Sequence, residues 1–182
     1  MQNVVIRAIE RLDFRTKEAY KTLRTNLSFA GKNVKVISLT SCTPNEGKTS
    51  VSFQLCLSLA ESGKQTILVD ADLRKSVLRG RYKANREKYG LSHYLSGQVE
   101  LDDACCRTNV NNFDIIFAGP VPPNPSELLG GDAFRNMLEV LRMKYDYVIV
   151  DTPPLGSVID AAIVGAICDG TVIVVELSLI HI

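Results

Sequence analysis

Gly47-Lys48-Thr49, near the end of the stretch "SCTPNEGKTS" (41–50), sets three residue types side by side that could together hold a phosphate chain. Glycine lets the backbone approach closely, lysine adds a point charge that can follow the γ-phosphate, and the threonine hydroxyl can ligate Mg²⁺. Backbone N–H groups of such a loop, and of a helix that starts from it, form an anion site for β- and γ-phosphates. Asn45, Glu46, Gly47, Lys48, Thr49 and Ser50 are therefore the expected nucleotide contacts. A bare Gly-Lys-Thr would usually be just a turn and a helix start. Two further segments end in carboxylates, however: "ILVDADLR" carries Asp70 and Asp72, and "YVIVDTPP" carries Asp151. A carboxylate near Mg²⁺ can orient the waters of the ion, and one facing the γ-phosphate can take a proton from an attacking hydroxyl. A single strand-end aspartate is commonly a turn or helix cap. Two such strands beside a phosphate loop favour chemistry instead.

These residues need particular elements behind them. The apolar run Val34-Lys35-Val36-Ile37-Ser38-Leu39 leads into the loop as a strand over 34–40, and a helix over 48–62 leaves it. That order, strand, tight loop, Gly-Lys-Thr, helix, is the one a P-loop requires. Further strands are expected at 65–70, 113–117, 146–151 and 171–177, with helices at 132–144 and 158–168. An opening helix over 16–30 repeats Ala19, Leu23 and Leu27 every four residues. Alternation of helices with Val/Ile/Leu-rich strands predicts an α/β fold, a mostly parallel sheet covered by helices. Ligands of such sheets sit at the carboxyl ends of the strands, where all three aspartates fall. Residues 119–125, "GPVPPNP", predict a rigid non-helical connection, because proline fixes φ and lacks a donor.

Size and charge narrow the function classes. The 182 residues suit one globular domain over 1–182, and 21 basic against 20 acidic residues leave a net charge of +1. No overall field points to nucleic acid or an anionic membrane. The basic run Arg74, Lys75, Arg79, Arg81, Lys83, Arg86 and Lys88 lacks interleaved aromatics beyond Tyr82 and Tyr89, so a solvated connection is expected there and no nucleic-acid partner. Five cysteines, Cys42, Cys56, Cys105, Cys106 and Cys168, form no CxxC or Cys/His array, which argues against disulfides or zinc and fits a reducing cytoplasm. The last four read as small buried hydrophobes. The most apolar stretch, 158–175, is broken by Asp160 and Asp169, and no signal-peptide core precedes residue 30.

With these motifs in hand, the chain resembles the bacterial tyrosine kinases of capsular and exopolysaccharide biosynthesis. The resemblance spans about residues 16–176 and rests on "EAYKTLRTNL" (18–27), "SCTPNEGKTS", "ILVDADLR", "GLSHYLSG" (90–97), "AGPVPPNPSELL" (118–129) and "VIVDTPP" (148–154). Loops of this family, a deviant Walker A type of P-loop, commonly lack the first glycine and carry a proline, which accommodates Cys42 and Pro44. Asn45 stands where these loops often have glycine, and asparagine tolerates positive φ. The resemblance implies ATP-dependent autophosphorylation on tyrosine, with Lys48 and Thr49 on phosphate and Mg²⁺, Asp70 activating the tyrosine hydroxyl, and Asp72 with Asp151 holding the metal and its waters. It also implies a membrane-anchored activator of the polysaccharide co-polymerase type, which places the kinase at the cytoplasmic face of the membrane.

"EAYKTLR" is similar to the family's ring-forming Glu-x-x-Arg-x-x-Arg motif, with Lys21 replacing the first arginine. Glu18, Lys21 and Arg24 share one helical face and are the expected homo-oligomer contacts. Family members normally continue into a further helix, a strand and a tyrosine-rich tail, so the domain is expected to be incomplete beyond "SLIHI" (178–182). The alternative is a partitioning or division-site ATPase, which switches on ATP without a kinase reaction; those proteins place a signature lysine where Thr43 stands here. A nucleotide-binding adaptor without catalysis is a third reading.

Overall fold

The computed structural model describes residues 1–31, 33–85 and 88–177. Arg86 of the basic run and the closing residues 178–182 lie outside them.

Among the described residues, seven strands form one sheet: β1 (Gln2–Val4), β2 (Val36–Ser41), β3 (Thr66–Asp70), β4 (Cys106–Thr108), β5 (Phe113–Ile116), β6 (Tyr147–Asp151) and β7 (Gly170–Val174). Their order is β1-β4-β5-β3-β6-β2-β7, and every pairing is parallel except β4 with β5. The central strands are buried end to end, as strands covered on both faces must be. β7 stops at Val174 rather than continuing to 177, because its partner β2 ends at Ser41, where the phosphate loop begins. The three-residue strands β1 and β4 are too short to leave a periodic pattern, and neither is legible from sequence.

Alternate side chains feed two cores. Ile37, Leu39, Leu68 and Ile149 pack with Phe53, Leu55 and Leu59 of helix α2 (Lys48–Glu61). Val36, Ile67, Val69, Val148 and Val150 pack with Phe134, Met137, Leu138 and Leu141 of the helix over Asp132–Lys144. Helix α1 (Phe14–Phe29) lies outside α2, and none of its residues is fully buried. Its inward stripe runs through Tyr20, Leu23 and Leu27, while Ala19 is exposed. A 3.6-residue period favours i, i+3, i+7 over strict fours.

Short helices fill the connections. They are α3 (Leu78–Arg81), α4 (Leu91–Leu95), α5 (Leu101–Ala104), α6 (Pro125–Gly130) and α8 (Asp160–Gly165), with α7 the Asp132–Lys144 helix. α6 starts on Pro125, the last residue of the expected rigid connection; proline suits a first helical turn because its missing N–H would be unbonded there. α8 is shorter than the expected 158–168. Cys56, Cys105 and Cys106 are buried as expected, whereas Cys168 is only partly covered.

Candidate active site

The loop between β2 and α2 has the backbone its sequence demands. Asn45 adopts φ +69° and Gly47 φ +85°, both in the left-handed region that asparagine and glycine enter at least cost. Gly47 is the N-cap of α2 and supplies no side-chain acceptor, so the first-turn N–H groups of a fourteen-residue helix open toward the cleft. Glu46 turns back: its carboxylate accepts the Thr43 N–H at 2.7 Å, which braces the loop and holds the carboxyl below its usual range. Its carboxylate is thereby committed to the backbone of the loop itself. Ser50 is not among the described residues that line the cleft, and its hydroxyl accepts a hydrogen bond from Arg81, which does line it.

Asn45, Gly47, Lys48, Thr49 and Asp72 line one cleft of about 360 Å³. Asp72 lines this cleft, Asp70 and Asp151 are buried, and the three keep different company. Asp72 lies 3.6 Å from the Lys48 ammonium and accepts the Lys75 N–H at 2.9 Å. Asp151 accepts the Thr49 hydroxyl at 2.6 Å and the Ser52 hydroxyl at 3.0 Å, one on each oxygen. Asp70 pairs in register with Asp151 across β3 and β6, yet its carboxylate bonds to the Ser76 hydroxyl and the backbone of Ala118. Burial, followed by the Asp151 charge, pushes Asp70 up to about 8, although the Ser76 bond opposes this. Burial also raises Asp151, against the pull of Lys48 and its two hydroxyl partners.

The donors are hard oxygens, the set Mg²⁺ prefers. Among the described residues no group of three or more His, Cys, Asp or Glu side chains could hold a metal. Mg²⁺ commonly takes one or two carboxylates and completes its shell with waters and substrate phosphates, so Thr49 with Asp72 fits it, Asp151 fixing the Thr49 hydroxyl from behind.

A family model described as an AAA domain matches residues 34–181. The tyrosine-protein kinase CpsD of Streptococcus agalactiae is 45% identical over 162 residues, covering 89% of this chain and 71% of its own. The chain belongs to the bacterial tyrosine-kinase family. The kinase domain of Escherichia coli tyrosine kinase ETK has the same fold, with a TM-score of 0.86 at 34% identity over 98% of this chain and 79% of its own. The cell division ATPase MinD of Pyrococcus furiosus is more distant, with a TM-score of 0.64 at 25% identity over 78% and 59%. The shared fold is that of P-loop ATPases.

Within this family member, the residues expected at an oligomer face behave unequally. Glu18 and Lys21 pair with each other at 2.7 Å on the exposed side of α1. Arg24 instead turns inward and donates to the Ser58 carbonyl at 2.6 Å, in the last turn of α2, where carbonyls lack helical partners. The basic run is not a plain solvated connection either. Buried Leu78 and Tyr82 pin it to the core, which directs Arg74 to Asp160 (2.8 Å) and Ser126 (2.9 Å), and Arg81 to Ser50. Ser126 also donates to Asp160 at 2.6 Å. Asp160 is fully buried; burial would raise its carboxyl, but Arg74 and Ser126 together hold it below its usual range. Arg74 lines the cleft, so this triad braces the phosphate edge. The only sequence signal was an aspartate interrupting the apolar stretch 158–175.

Proposed function

We propose that this chain is an ATP-dependent protein-tyrosine kinase that autophosphorylates and regulates the synthesis and export of capsular or exopolysaccharide. Family membership and the phosphate cleft support the nucleotide half of this reading. The observation that carries the acceptor half is the company Asp70 keeps. Asp72 faces Lys48 and Asp151 is engaged by Thr49 and Ser52, whereas Asp70 bonds to Ser76 and Ala118 and to no residue of the loop or α2. It is therefore the carboxylate placed to meet an incoming hydroxyl.

A tyrosine phenol with an ordinary pKa of about 10 is a poor nucleophile at neutral pH. In the minority of molecules that carry it ionised at neutral pH, Asp70 takes the proton as the phenolic oxygen bonds to the γ-phosphorus, and the bond from γ-phosphorus to the bridging oxygen breaks to release ADP. A proton acceptor raised toward the working pH is well matched to that task. Lys48 and the N–H groups of α2 bind the β- and γ-phosphates, Arg74 borders them, and Thr49 with Asp72 and Asp151 would hold Mg²⁺. When bound, Mg²⁺ supplies charge neutralisation on the phosphates. Family membership further supports a ring of copies joined through Glu18, Lys21 and Arg24, and a membrane-anchored polysaccharide co-polymerase as activator. Among the described residues no helix is long and apolar enough to cross a membrane. The activator would hold the kinase at the inner face of the cell membrane.

Incubation with labelled ATP and Mg²⁺ tests the reading. Phosphotyrosine is expected on the wild-type chain and none on Lys48→Ala or Thr49→Ala. Asp70→Asn should keep nucleotide affinity while losing roughly a hundredfold or more of phosphotransfer, the usual cost of a lost general base. Equal loss of affinity and transfer would make Asp70 a metal-site residue. Released phosphate without phosphotyrosine would make the chain a switch of the division-site type.

A further inference from the structure

Lys48, Arg74, Lys75 and Arg81 are the cations among the described residues that line the phosphate cleft, and they are not equally free to meet an anion. Lys48 lies 3.6 Å from Asp72, and Arg74 spends its Nε and one terminal nitrogen on the buried Asp160 and on Ser126. Lys75 and Arg81 pair with no carboxylate among the described residues. Of these two, Arg81 is the one fixed in place, because a terminal nitrogen donates to the Ser50 hydroxyl. The acceptor is neutral, so the guanidinium keeps its charge uncompensated and most of its five N–H groups available.

The backbone beneath Arg81 is settled as well. Leu78 and Tyr82 are buried, and the Tyr82 ring stacks on Phe53 of α2 with centroids 3.5 Å apart, which docks α3 against the first turns of α2. Ser50 follows Lys48 by two residues and so lies about 200° further round the helix axis. Arg81 therefore approaches the N-terminus of α2 from the side roughly opposite to Lys48. Val77 and Arg81 also border a second cavity, of about 870 Å³, between α3, α4 and the segment that follows β5.

We propose that Arg81 binds the α- and β-phosphates of the nucleotide, the part of the chain that ADP keeps, and so governs how tightly the product is retained. The inference rests on the reading of this cleft as an ATP site and adds to it a contact from outside the phosphate loop. A phosphate chain whose γ end meets Lys48, and whose remainder crosses the open N–H groups of α2, runs toward Ser50 and the guanidinium held there. That planar group can meet two phosphate oxygens at once, which an ammonium cannot. Its bond to Ser50 sets its direction beforehand, so less freedom is lost when nucleotide arrives.

Calorimetric titration of wild type, Arg81→Ala, Arg81→Gln and Arg81→Lys with ATP and with ADP tests the inference. In Arg81→Ala both affinities are expected to fall together, on the order of tenfold, the loss of one hydrogen bond to a charged group. The salt dependence of ADP binding should become shallower, since one cation facing the phosphates is gone. KM for ATP should rise with kcat much less affected. Glutamine can keep the bond to Ser50 without the charge and should bind ADP as weakly as alanine does, whereas lysine should recover part of the loss. Arg81 is exposed, and the Tm of each nucleotide-free variant reports whether it is folded. Wild-type ADP affinity in folded Arg81→Ala would overturn the inference. A loss confined to ATP would do the same by moving the contact to the γ-phosphate, and so would full recovery by glutamine, which would make Arg81 a brace for Ser50. No binding of ATP or ADP by the wild-type chain would remove the nucleotide reading and this inference with it.

Discussion

Asp70, buried beside two other carboxylates, keeps its proton up to about pH 8, where an unfolded aspartate would lose it near pH 4. Between those values the folded chain binds more protons than the unfolded one, so this group lowers stability progressively as pH rises from about 4 to about 8. Asp70→Asn removes the ionisable group and leaves an oxygen for the Ser76 hydroxyl. The nucleotide-free variant is therefore expected to be more stable than wild type at pH 7, by on the order of 1–3 kcal/mol. That is a rise of several degrees in Tm. Thermal unfolding at pH 7 and again near pH 4 checks this: the gap should close at the lower pH, and a gap independent of pH would contradict the assignment. The same substitution that costs phosphotransfer would thus stabilise the fold, the trade expected at a working site. Asp160 has the opposite sign. Its carboxyl is held low by Arg74 and Ser126, so its contribution is present above pH 4 and lost as the solution becomes more acid.

Two elements are docked in ways that bear on the site. α2 starts on Gly47 with its first N–H groups open, whereas its last turn is tied from outside by Arg24 at Ser58. α4 joins the end of β5 directly: the N–H groups of Leu91 and Ser92 donate to the carbonyls of Phe117 (2.7 Å) and Ala118 (2.9 Å). That approach leaves no room for a side chain at Gly90, where a Cβ would sit 2.6 Å from both the Phe117 oxygen and the Gly119 nitrogen. Gly90→Ala must push α4 away from β5, and about 1–3 kcal/mol is the usual cost of such overpacking. A lower Tm at unchanged nucleotide affinity is the expected result. A wild-type Tm would show that the contact is not required.

At the scale of the whole molecule, the sheet presents two chambers along its carboxyl edge and an exposed helix on its outer flank. α1 is joined to the body mainly through α2, and its Glu18–Lys21 pair faces solvent. In the proposed ring that pair must exchange its internal partner for one on a neighbouring copy. Lysine cannot form the bidentate fork of arginine, so assembly through Lys21 should be present but weak. Light scattering across a concentration series is expected to show association that Glu18→Ala reduces and Lys21→Arg strengthens. Monomers at all concentrations in all three proteins would exclude the ring.

The phosphate loop, the aspartates at the strand ends and the α/β class were legible in the residues themselves, because each depends on neighbours in the chain. A strand feeding Gly-Lys-Thr and a helix determines its own geometry, and Asn45 could be read as a left-handed residue before its φ of +69° was seen. What the residues could not disclose depends on sheet order. Arg74 and Asp160 are 86 positions apart and meet because β3 and β6 lie side by side. A cavity of about 870 Å³ is bounded by α3, α4 and the segment after β5, which share no sequence pattern. Its glycines, Gly90 and Gly119, look like ordinary turn residues until their backbones are found in contact. Even the division of labour among the three aspartates was open, since carboxylates in one motif look alike. Only packing against Ser76, Lys48 or Thr49 distinguishes them, because the environment of a side chain is assembled from whatever distant segments the fold brings within a few ångströms.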